Sequence, residues 1–178
     1  MKFQETPLKG AWIITPEQIE DERGFFARMF SIDEMNKYGM ETDIVQTSMA
    51  FNKKRGTLRG MHFQAPPHEE AKYVQCVRGA AYDVIIDLRA GSLTQKKWFG
   101  IELSEENRHM LYIPRGFAHG YLTTTDDAEL HYSMTTKYVA SASKGVRWND
   151  PALSIHWPFA PAIISAKDSK YPPVGEHE

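Results

Sequence analysis

Strand-sized runs separated by turn residues make up most of this chain, and helical periodicity nearly vanishes after Gly39. Such runs, bounded by glycine, proline and aspartate, are typical of β-strands. Eight evenly spaced strands favour a sandwich or a closed barrel, and the jelly roll is the common solution at that number. We predict these eight strands at about 43–52, 57–64, 72–78, 81–89, 96–103, 109–113, 117–124 and 128–138.

Short elements precede this core. Residues 12–14 and 25–30 have the composition of strands, and a short helix is predicted at about 31–38. Ser31 and Glu34 have the spacing of a capping box at the start of that helix.

The remaining chain adds no second domain to this prediction. The tail from Trp148 onward is rich in proline and tryptophan, so we expect it to wrap the barrel as loops and short turns. We therefore predict an all-β protein, with one domain over residues 1–178 and a jelly-roll core at about 43–138.

Composition narrows the classes of function. The chain has 178 residues and a net charge of −2, which gives no electrostatic case for binding nucleic acid or an anionic membrane. Any recognition of phosphate must therefore depend on a few well-placed arginines and lysines. Cys76 is the only cysteine, which excludes an internal disulfide and favours a reducing compartment. With no apolar leader and no apolar run of about 18 residues, we expect a cytoplasmic protein without a membrane segment.

The stretch from Arg55 to Gln64 is the least ordinary part of the pattern. Glycines at 56 and 60 allow a turn or a close approach of two backbones. The period of two predicts that Leu58, Gly60, His62 and Gln64 share one strand face, and that Arg59, Met61 and Phe63 share the other. A strand that presents a histidine and a glutamine inward fits a polar pocket inside a barrel.

Four polar residues on predicted strands are out of place for a simple core: His62, Lys72, His119 and Tyr132. Together they would supply a base, a fixed cation and an acid, which are the groups that proton abstraction beside a carbonyl requires. Asp168 could orient His62, since a carboxylate bound to one imidazole nitrogen raises the basicity of the other.

Basic side chains offer contacts for phosphate oxygens. Arginine matches phosphate with a planar fork, and lysine supplies a point charge. The candidates are Arg23, Arg28, Arg59 and Lys167.

Short motifs follow one another in a fixed order over nearly the whole chain. They are Asp21-x-Arg23-Gly24-x-Phe26, Gly56-Thr57-Leu58-Arg59-Gly60-Met61-His62-x-Gln64, Lys72-x-Val74-x-Cys76-x-x-Gly79, Asp83-Val84-x-x-Asp87-x-Arg89, Pro114-x-Gly116-Phe117-Ala118-His119-Gly120, Trp148-Asn149-Asp150-Pro151, Ile155-x-Trp157-Pro158 and Ser165-x-Lys167-Asp168. With them the chain resembles the dTDP-4-dehydrorhamnose 3,5-epimerase family. That resemblance implies a cupin-type jelly roll that binds a nucleoside-diphosphate sugar, uses no cofactor or metal, and forms a homodimer.

The resemblance also implies roles for individual residues. His62 resembles the catalytic base, Asp168 its orienting partner and Tyr132 the acid. Lys72 is similar to the residue that stabilises the enolate oxygen and contacts substrate. The other substrate contacts that the resemblance implies are Arg23 (in a neighbouring subunit's site), Phe26, Gln46, Ser48, Arg59, His119, Tyr138 and Lys167. Of these, Tyr138 would stack on the nucleobase, and Gln46 and Ser48 would contact the nucleoside.

Three positions depart from the family pattern. Arg28 and Ser143 stand where the family usually has glutamate, and Ser48 stands where it has asparagine. All three belong to substrate binding, so the departures leave the chemistry intact but leave the nucleotide and the exact sugar open.

The expected activity is inversion of C3 and C5 in a nucleoside-diphosphate 4-keto-6-deoxyhexose, for deoxysugar and polysaccharide precursors. A C3-only epimerase or a 3,4-ketoisomerase on the same scaffold is the alternative, and a non-catalytic sugar-binding module is a weaker one. A metal-dependent cupin oxygenase could recruit His62, Glu69 and His119. Against it, Gln64 stands where the metal pattern has a second histidine, and Lys72 would repel a divalent cation.

Overall fold

Two antiparallel sheets face each other in the computed structural model, which describes residues 1–176. The first sheet has the strand order β1-β2-β10-β7-β12-β5, and the second has the order β13-β6-β11-β8-β9. The short strand β14 pairs with β6 in parallel. A separate hairpin joins β3 to β4. The strands are Lys2–Glu5 (β1), Trp12–Thr15 (β2), Gln18–Asp21 (β3), Gly24–Ala27 (β4), Gln46–Asn52 (β5), Thr57–Gln64 (β6), Lys72–Arg78 (β7), Ala80–Asp87 (β8), Trp98–Ser104 (β9), Met110–Ile113 (β10), Phe117–Thr123 (β11), Ala128–Met134 (β12), Ser143–Gly145 (β13) and Ile163–Ile164 (β14), and the α-helix is Ile32–Asn36 (α1).

The main core fills the space between the two sheets. Val74, Leu111 and Leu130 from the first sheet meet Ile85 and Tyr121 from the second, all almost fully buried. Burial of each such side chain stabilises the fold by roughly 1.5–3 kcal/mol. This packing holds β6 and β12, which belong to different sheets, as facing walls.

The C-terminal tail covers the outer face of the second sheet. Met61, Val84 and Ala118 point away from the main core and pack with Leu153 and Trp157 of the tail. This is why β8 and β11 are buried along almost their whole length. The aromatic composition of the tail therefore provides a second, smaller core.

The eight predicted core strands are confirmed. Those predicted at 57–64 and 72–78 have the predicted ends, and the other six differ by one to four residues at one or both ends. The strand predicted at 43–52 begins at Gln46, and the one predicted at 128–138 ends at Met134. The predicted strand at 25–30 is shorter, as β4. The sequence analysis missed four short strands, β1, β3, β13 and β14, and the last of these lies in the tail that was expected to hold only loops and turns.

The capping-box prediction was wrong, although the helix itself is present as α1. Ser31 occupies the N-cap position but makes no side-chain cap hydrogen bond. The carboxylate of Glu34 instead accepts hydrogen bonds from the Met1 ammonium group at 3.2 Å and from Arg28 at 3.3 Å.

An irregularity in β6 overturns the predicted alternation of its faces. His62 pairs with His119 of β11, but Arg59 pairs with Tyr121, so three steps on β6 match two on β11. The extra residue is a bulge, which shifts every following side chain to the other face. Arg59 and His62, predicted on opposite faces, therefore line the same cavity.

Candidate active site

A cavity of about 390 Å³ opens between the two sheets. Strands from both sheets and the segments that follow β12 and β14 contribute to its walls. The lining residues are Gln46, Ser48, Arg59, His62, Phe63, Gln64, Glu70, Lys72, His119, Tyr121, Tyr132, Met134, Thr136, Tyr138, Ser143 and Lys167.

The cavity brings together nearly all of the predicted site residues. Asp168 lies behind the cavity wall, bound to His62. Arg23, Phe26 and Arg28 lie outside the cavity, on or just after the β3–β4 hairpin. Arg23 is 85% exposed and pairs with Asp21, Phe26 is 69% exposed, and Arg28 pairs with Glu34. Within their own chain these three side chains therefore do not reach the cavity.

His62 and Asp168 form a hydrogen-bonded pair at the cavity wall. Nε2 of His62 lies 2.8 Å from Oδ1 of Asp168, whose side chain is only 6% exposed, against 40% for His62. The backbone N–H of Gly60 donates to the other carboxylate oxygen at 3.2 Å, and Ser165 contacts the backbone of Asp168. Because the carboxylate accepts from Nε2, the lone pair of His62 lies on Nδ1.

The carboxyl group of Asp168 is held in its charged form. Burial acts to raise its pKa, but the hydrogen bond and the charge of His62, with the donors at Gly60 and Ser165, outweigh burial and lower the pKa. A charged carboxylate behind an imidazole fixes the tautomer and stabilises the imidazolium ion. The pair is therefore arranged to accept a proton at Nδ1.

Tyr132 occupies the opposite wall on β12. Burial raises its pKa well above the ordinary value, the neighbouring Tyr121 and Asp83 act in the same direction, and the charge of Arg59 opposes them. The ring lies 6.1 Å from the ring of His119 and 6.5 Å from that of Tyr121. Tyr132 is thus a protonated hydroxyl facing the same space as His62.

Lys72 enters the cavity with its own counterion. Its ammonium group lies 3.0 Å from the carboxylate of Glu70, and both side chains are largely buried, at 12% and 9% exposed. Gln64 also donates to Glu70. Lys72 thus presents a positive charge to the cavity, and the carboxylate of Glu70 balances that charge.

His119 forms a second histidine–carboxylate pair, with Nε2 lying 2.8 Å from Oδ2 of Asp83. Asp83 is fully buried, and its other oxygen, Oδ1, has no hydrogen-bond partner among the described residues. Burial raises the pKa of Asp83, and the charges of His119 and Lys72 act in the opposite direction. The contact orients the His119 ring at the cavity wall.

Two glutamines hold the segment that carries Tyr138. The Gln46 side chain accepts from the backbone N–H of Tyr138 at 3.2 Å. Gln64 accepts from Val139 at 2.6 Å and donates to the carbonyl oxygen of Lys137 at 3.2 Å. Tyr138 remains 60% exposed at the mouth of the cavity.

The sequence analysis missed several residues of the site, and three of them make contacts that shape it. Glu70 and Tyr121 line the cavity, and Asn52 binds Arg59 from behind at 2.8 Å. The alternation of strand faces offered a signal for Glu70 and Tyr121, because Glu70 lies two residues before Lys72 and Tyr121 lies two residues after His119. For Asn52 the sequence held no local signal.

Among residues 1–176, no helix combines the length and the apolar character that a membrane crossing requires. Within the same range, no group of three or more histidine, cysteine, aspartate or glutamate side chains is arranged to hold a metal ion. The amide of Gln64 is engaged by backbone groups and Glu70, as described above.

The fold and the site together define a class of protein. Two facing antiparallel sheets that enclose a polar cavity form a jelly roll of the cupin type. A histidine–aspartate pair, a lysine and a buried tyrosine equip that cavity for acid–base chemistry.

Comparison with known proteins identifies the family within this class. Residues 5–176 match the model of the dTDP-4-dehydrorhamnose 3,5-epimerase family. The dTDP-4-dehydrorhamnose 3,5-epimerase of Sinorhizobium fredii (strain NBRC 101917 / NGR234) is 38% identical over 177 residues, which cover 99% of this chain and 91% of that protein. The chain therefore belongs to the dTDP-4-dehydrorhamnose 3,5-epimerase family.

Solved structures agree with this assignment. The crystal structure of dTDP-4-dehydrorhamnose 3,5-epimerase from Elizabethkingia anophelis NUHP1 matches with a TM-score of 0.96 and 38% identity, over 99% of this chain and 98% of that one. The enzyme from Bacillus anthracis str. Ames, crystallised with TDP and PPi bound, matches with a TM-score of 0.94 and 38% identity, over 97% and 99% of the two chains.

Proposed function

We propose that this protein inverts C3 and C5 of a nucleoside-diphosphate 4-keto-6-deoxyhexose, in the synthesis of deoxysugar precursors. The observation that carries the proposal is the placement of a histidine bound to a carboxylate and of a buried tyrosine on facing walls of one cavity. His62 lies on β6 of one sheet, and Tyr132 lies on β12 of the other. Inversion needs a proton to leave one face of a carbon and another to arrive on the opposite face.

The chemistry follows from the ketone at C4. It acidifies the hydrogens at C3 and C5, so Nδ1 of His62 removes a proton and the electron pair moves onto O4 as an enolate. Lys72 stabilises the charge on O4, and Tyr132 delivers a proton to the carbon from the other side. Positioned acid–base groups supply about 10²- to 10⁴-fold each, and the enolate contact supplies much of the remainder.

The outer part of the cavity suits a nucleoside diphosphate. We assign Arg59 and Lys167 to the diphosphate and His119 to the sugar, since all three face the cavity. Gln46, Ser48 and Ser143 would contact the nucleoside, and Tyr138 would stack on the nucleobase. Tyr138 is exposed at the mouth, where a planar ring is free to receive another.

We propose dTDP as the nucleotide, because the relatives are named as epimerases of a dTDP-linked sugar. Ser48 and Ser143 are short hydroxyl side chains at the cavity wall, and Arg28 lies outside it, paired with Glu34. The test is turnover of the 4-keto-6-deoxyhexose linked to dTDP, UDP, CDP or GDP, with proton NMR of the products. We expect kcat/KM to be highest with dTDP, and preference for another base would contradict this part of the proposal.

We further propose a homodimer in which the β3–β4 hairpin completes the partner's site. Ile19 and Phe26 on this hairpin are each 69% exposed, and Met49 on edge strand β5 is 63% exposed. A partner chain would cover these apolar groups and the sheet edge. Arg23, Phe26 and Arg28 would then contact substrate from the neighbouring chain.

Mixing two inactive variants tests this arrangement. Arg23→Ala would lack the arginine given to the partner, and His62→Ala would lack the base in its own site. In a mixed dimer one site has both residues intact, so random exchange should restore about a quarter of the wild-type activity. No recovery, with dimer exchange shown by mass, would place Arg23 outside the partner's site.

The cellular location we propose is the cytoplasm. Cys76 is a free, buried thiol, and burial raises its pKa to about 11. A single thiol of this kind suits a reducing compartment.

A further inference from the structure

A buried asparagine behind the cavity connects two residues of the site. Asn52, at the end of β5, is 2% exposed. Its amide nitrogen Nδ2 donates to the carbonyl oxygens of Ala128 at 3.1 Å and Ala50 at 3.3 Å. Its oxygen Oδ1 accepts from Nε of Arg59 at 2.8 Å. Because an arginine nitrogen can only donate, these contacts fix which end of the amide is the oxygen.

That orientation decides where the proton of Tyr121 points. The Tyr121 hydroxyl lies 3.2 Å from Oδ1 of Asn52, and this amide oxygen can only accept. Tyr121 therefore donates to Asn52, and the free lone pairs of its hydroxyl are left for another donor. Tyr121 is 2% exposed, so that donor has to come from the protein or from a bound molecule.

Tyr132 is the neighbour whose hydroxyl can donate to those lone pairs. The two tyrosine rings lie 6.5 Å apart at 36°, and the interaction between their hydroxyl groups lowers the pKa of Tyr121 and raises that of Tyr132. Burial raises the pKa of Tyr121, while the hydrogen bond to Tyr132 and the charge of Arg59 lower it. The groups therefore form a row: Tyr132, Tyr121, Asn52 and Arg59.

We propose that Tyr121 is a positioning residue that donates its hydroxyl hydrogen to the Tyr132 phenolate as that phenolate forms. This inference rests on the proposed function, because it assumes that Tyr132 delivers a proton to the enolate. At rest Tyr132 donates to Tyr121, and Tyr121 donates to Asn52. When a substrate is bound, Tyr132 turns its hydrogen to the carbon, and the Tyr121 hydroxyl turns from Asn52 to the phenolate oxygen.

The step balances without any further reactant. The O–H bond of Tyr132 breaks, a C–H bond forms with the electron pair of the enolate, and the C4 carbonyl is restored. The charge left on Tyr132 is met by the hydrogen of Tyr121. Water then returns a proton to Tyr132, and His62 releases its proton to water.

A buried phenolate requires such a donor. A hydrogen bond to a charged oxygen is stronger than one to a neutral oxygen, so Tyr121 stabilises the phenolate more than it stabilises the resting hydroxyl. The charged and titratable groups that bear on Tyr132 are Arg59 of β6, Asp83 of β8 and Tyr121 of β11. Arg59 favours the phenolate and Asp83 opposes it. Tyr121 also opposes the phenolate while it accepts from Tyr132, and it favours the phenolate only after its hydroxyl has turned to donate.

The test measures inversion and proton exchange separately, with Tyr121→Phe in D₂O and dTDP-4-keto-6-deoxyglucose as substrate. His62 still removes the proton in this variant, but delivery from Tyr132 is slow. Deuterium then returns from His62 to the same face. We expect kcat for inversion to fall about ten- to hundredfold, with KM little changed and with label appearing at carbons that have not inverted.

Three further variants make the result specific. Tyr82→Phe removes a hydroxyl outside the cavity and should match wild type. Tyr132→Phe should give exchange with almost no inversion. Asn52→Ala should raise KM, because Arg59 loses its support, while inversion still accompanies exchange.

Two outcomes would overturn the inference. If Tyr121→Phe shows the wild-type ratio of inversion to exchange, Tyr121 does not act through Tyr132, although the proposed function stands. If wild type itself neither exchanges nor inverts this substrate, the proposed function and the inference fall together. Thermal unfolding of each variant confirms that the comparison is between folded proteins.

Discussion

At the scale of single residues, the site depends on how a few side chains are held. Asp168 is the clearest case, because its two oxygens bind His62 and the backbone of Gly60 at once. The position of the His62 ring is therefore set by the tail, which folds back over β6. The imidazole would otherwise be free to rotate, since 40% of its surface is exposed.

Asp168→Asn should keep the shape of this contact and lose the charge. We expect kcat to fall about 10²-fold or more, because a neutral amide cannot stabilise the imidazolium ion that forms on proton abstraction. Steady-state kinetics at pH 7 measure the effect. Asp150→Asn is the matched control, since Asp150 is also buried but lies outside the cavity and caps backbone groups of the tail. Equal activity in the Asp168 and Asp150 variants would show that the charge does not act on His62.

At the scale of elements, the bulge in β6 sets the geometry of the cavity. Gly60 has a φ of +135°, and a Cβ there would lie 2.5 Å from the Cα of Gly120 on β11. The strands can approach this closely because each has a glycine at the crossing, Gly60 on β6 and Gly120 on β11. The bulge in turn places Arg59 on the same side as His62.

Gly60→Ala should therefore damage both stability and activity. We expect the free energy of unfolding to fall by about 3 kcal/mol, from crowding added to an unfavourable φ. Urea unfolding measures it. Gly24→Ala is a useful control, because Gly24 has a φ of +123° but nothing lies within 4 Å of its Cβ position. If both variants lose the same stability, backbone conformation accounts for the cost and the crossing of β6 and β11 does not.

The segment after β12 depends on the Gln64 side chain, which binds Val139 and Lys137. Gln64→Ala should free the segment that carries Tyr138. We expect KM for the nucleotide sugar to rise about tenfold, with a smaller change in kcat. Gln75→Ala, a half-buried glutamine of β7 outside the cavity, serves as control. An unchanged KM would mean that the position of Tyr138 does not depend on Gln64.

At the scale of the whole molecule, much of the fold follows from the sequence. The strand-sized runs predicted the eight core strands, because all of them except β5 have one face or both faces in an apolar core. The four polar residues out of place on those strands, His62, Lys72, His119 and Tyr132, were predicted to share a pocket, and all four line the cavity.

The remaining features depend on contacts between distant segments. Strands of two or three residues, such as β14 and β13, are too short to show a period. The faces of β6 depend on a bulge that only the pairing with β11 reveals. Asn52 and Tyr121 meet across 69 residues of chain, so no local pattern could connect them.

Acid stability tests a part of the molecule that lies outside the site. Asp87 is fully buried, and it accepts hydrogen bonds from Arg89, Ser92 and Thr94. Burial acts to raise its pKa, but these donors outweigh burial and lower the pKa to about 2 from the ordinary 3.8. The stabilisation is therefore fully present above about pH 4, and it is lost as the pH falls through 2.

Urea unfolding from pH 5 to pH 2 measures this contribution. In Asp87→Asn the free energy of unfolding at neutral pH should be lower by about 2 kcal/mol, and its fall between pH 4 and pH 2 should be shallower than in wild type. Parallel curves for the two proteins would show that Asp87 is not the titrating group.

Solvent deuterium labelling tests the central claim most directly. The substrate is dTDP-4-keto-6-deoxyglucose in D₂O, with wild type and His62→Ala compared by proton NMR. We predict deuterium at both C3 and C5 with wild type, and almost none with His62→Ala. Label at C3 alone would point to an epimerase of one centre. Equally little label with the two proteins would contradict the account.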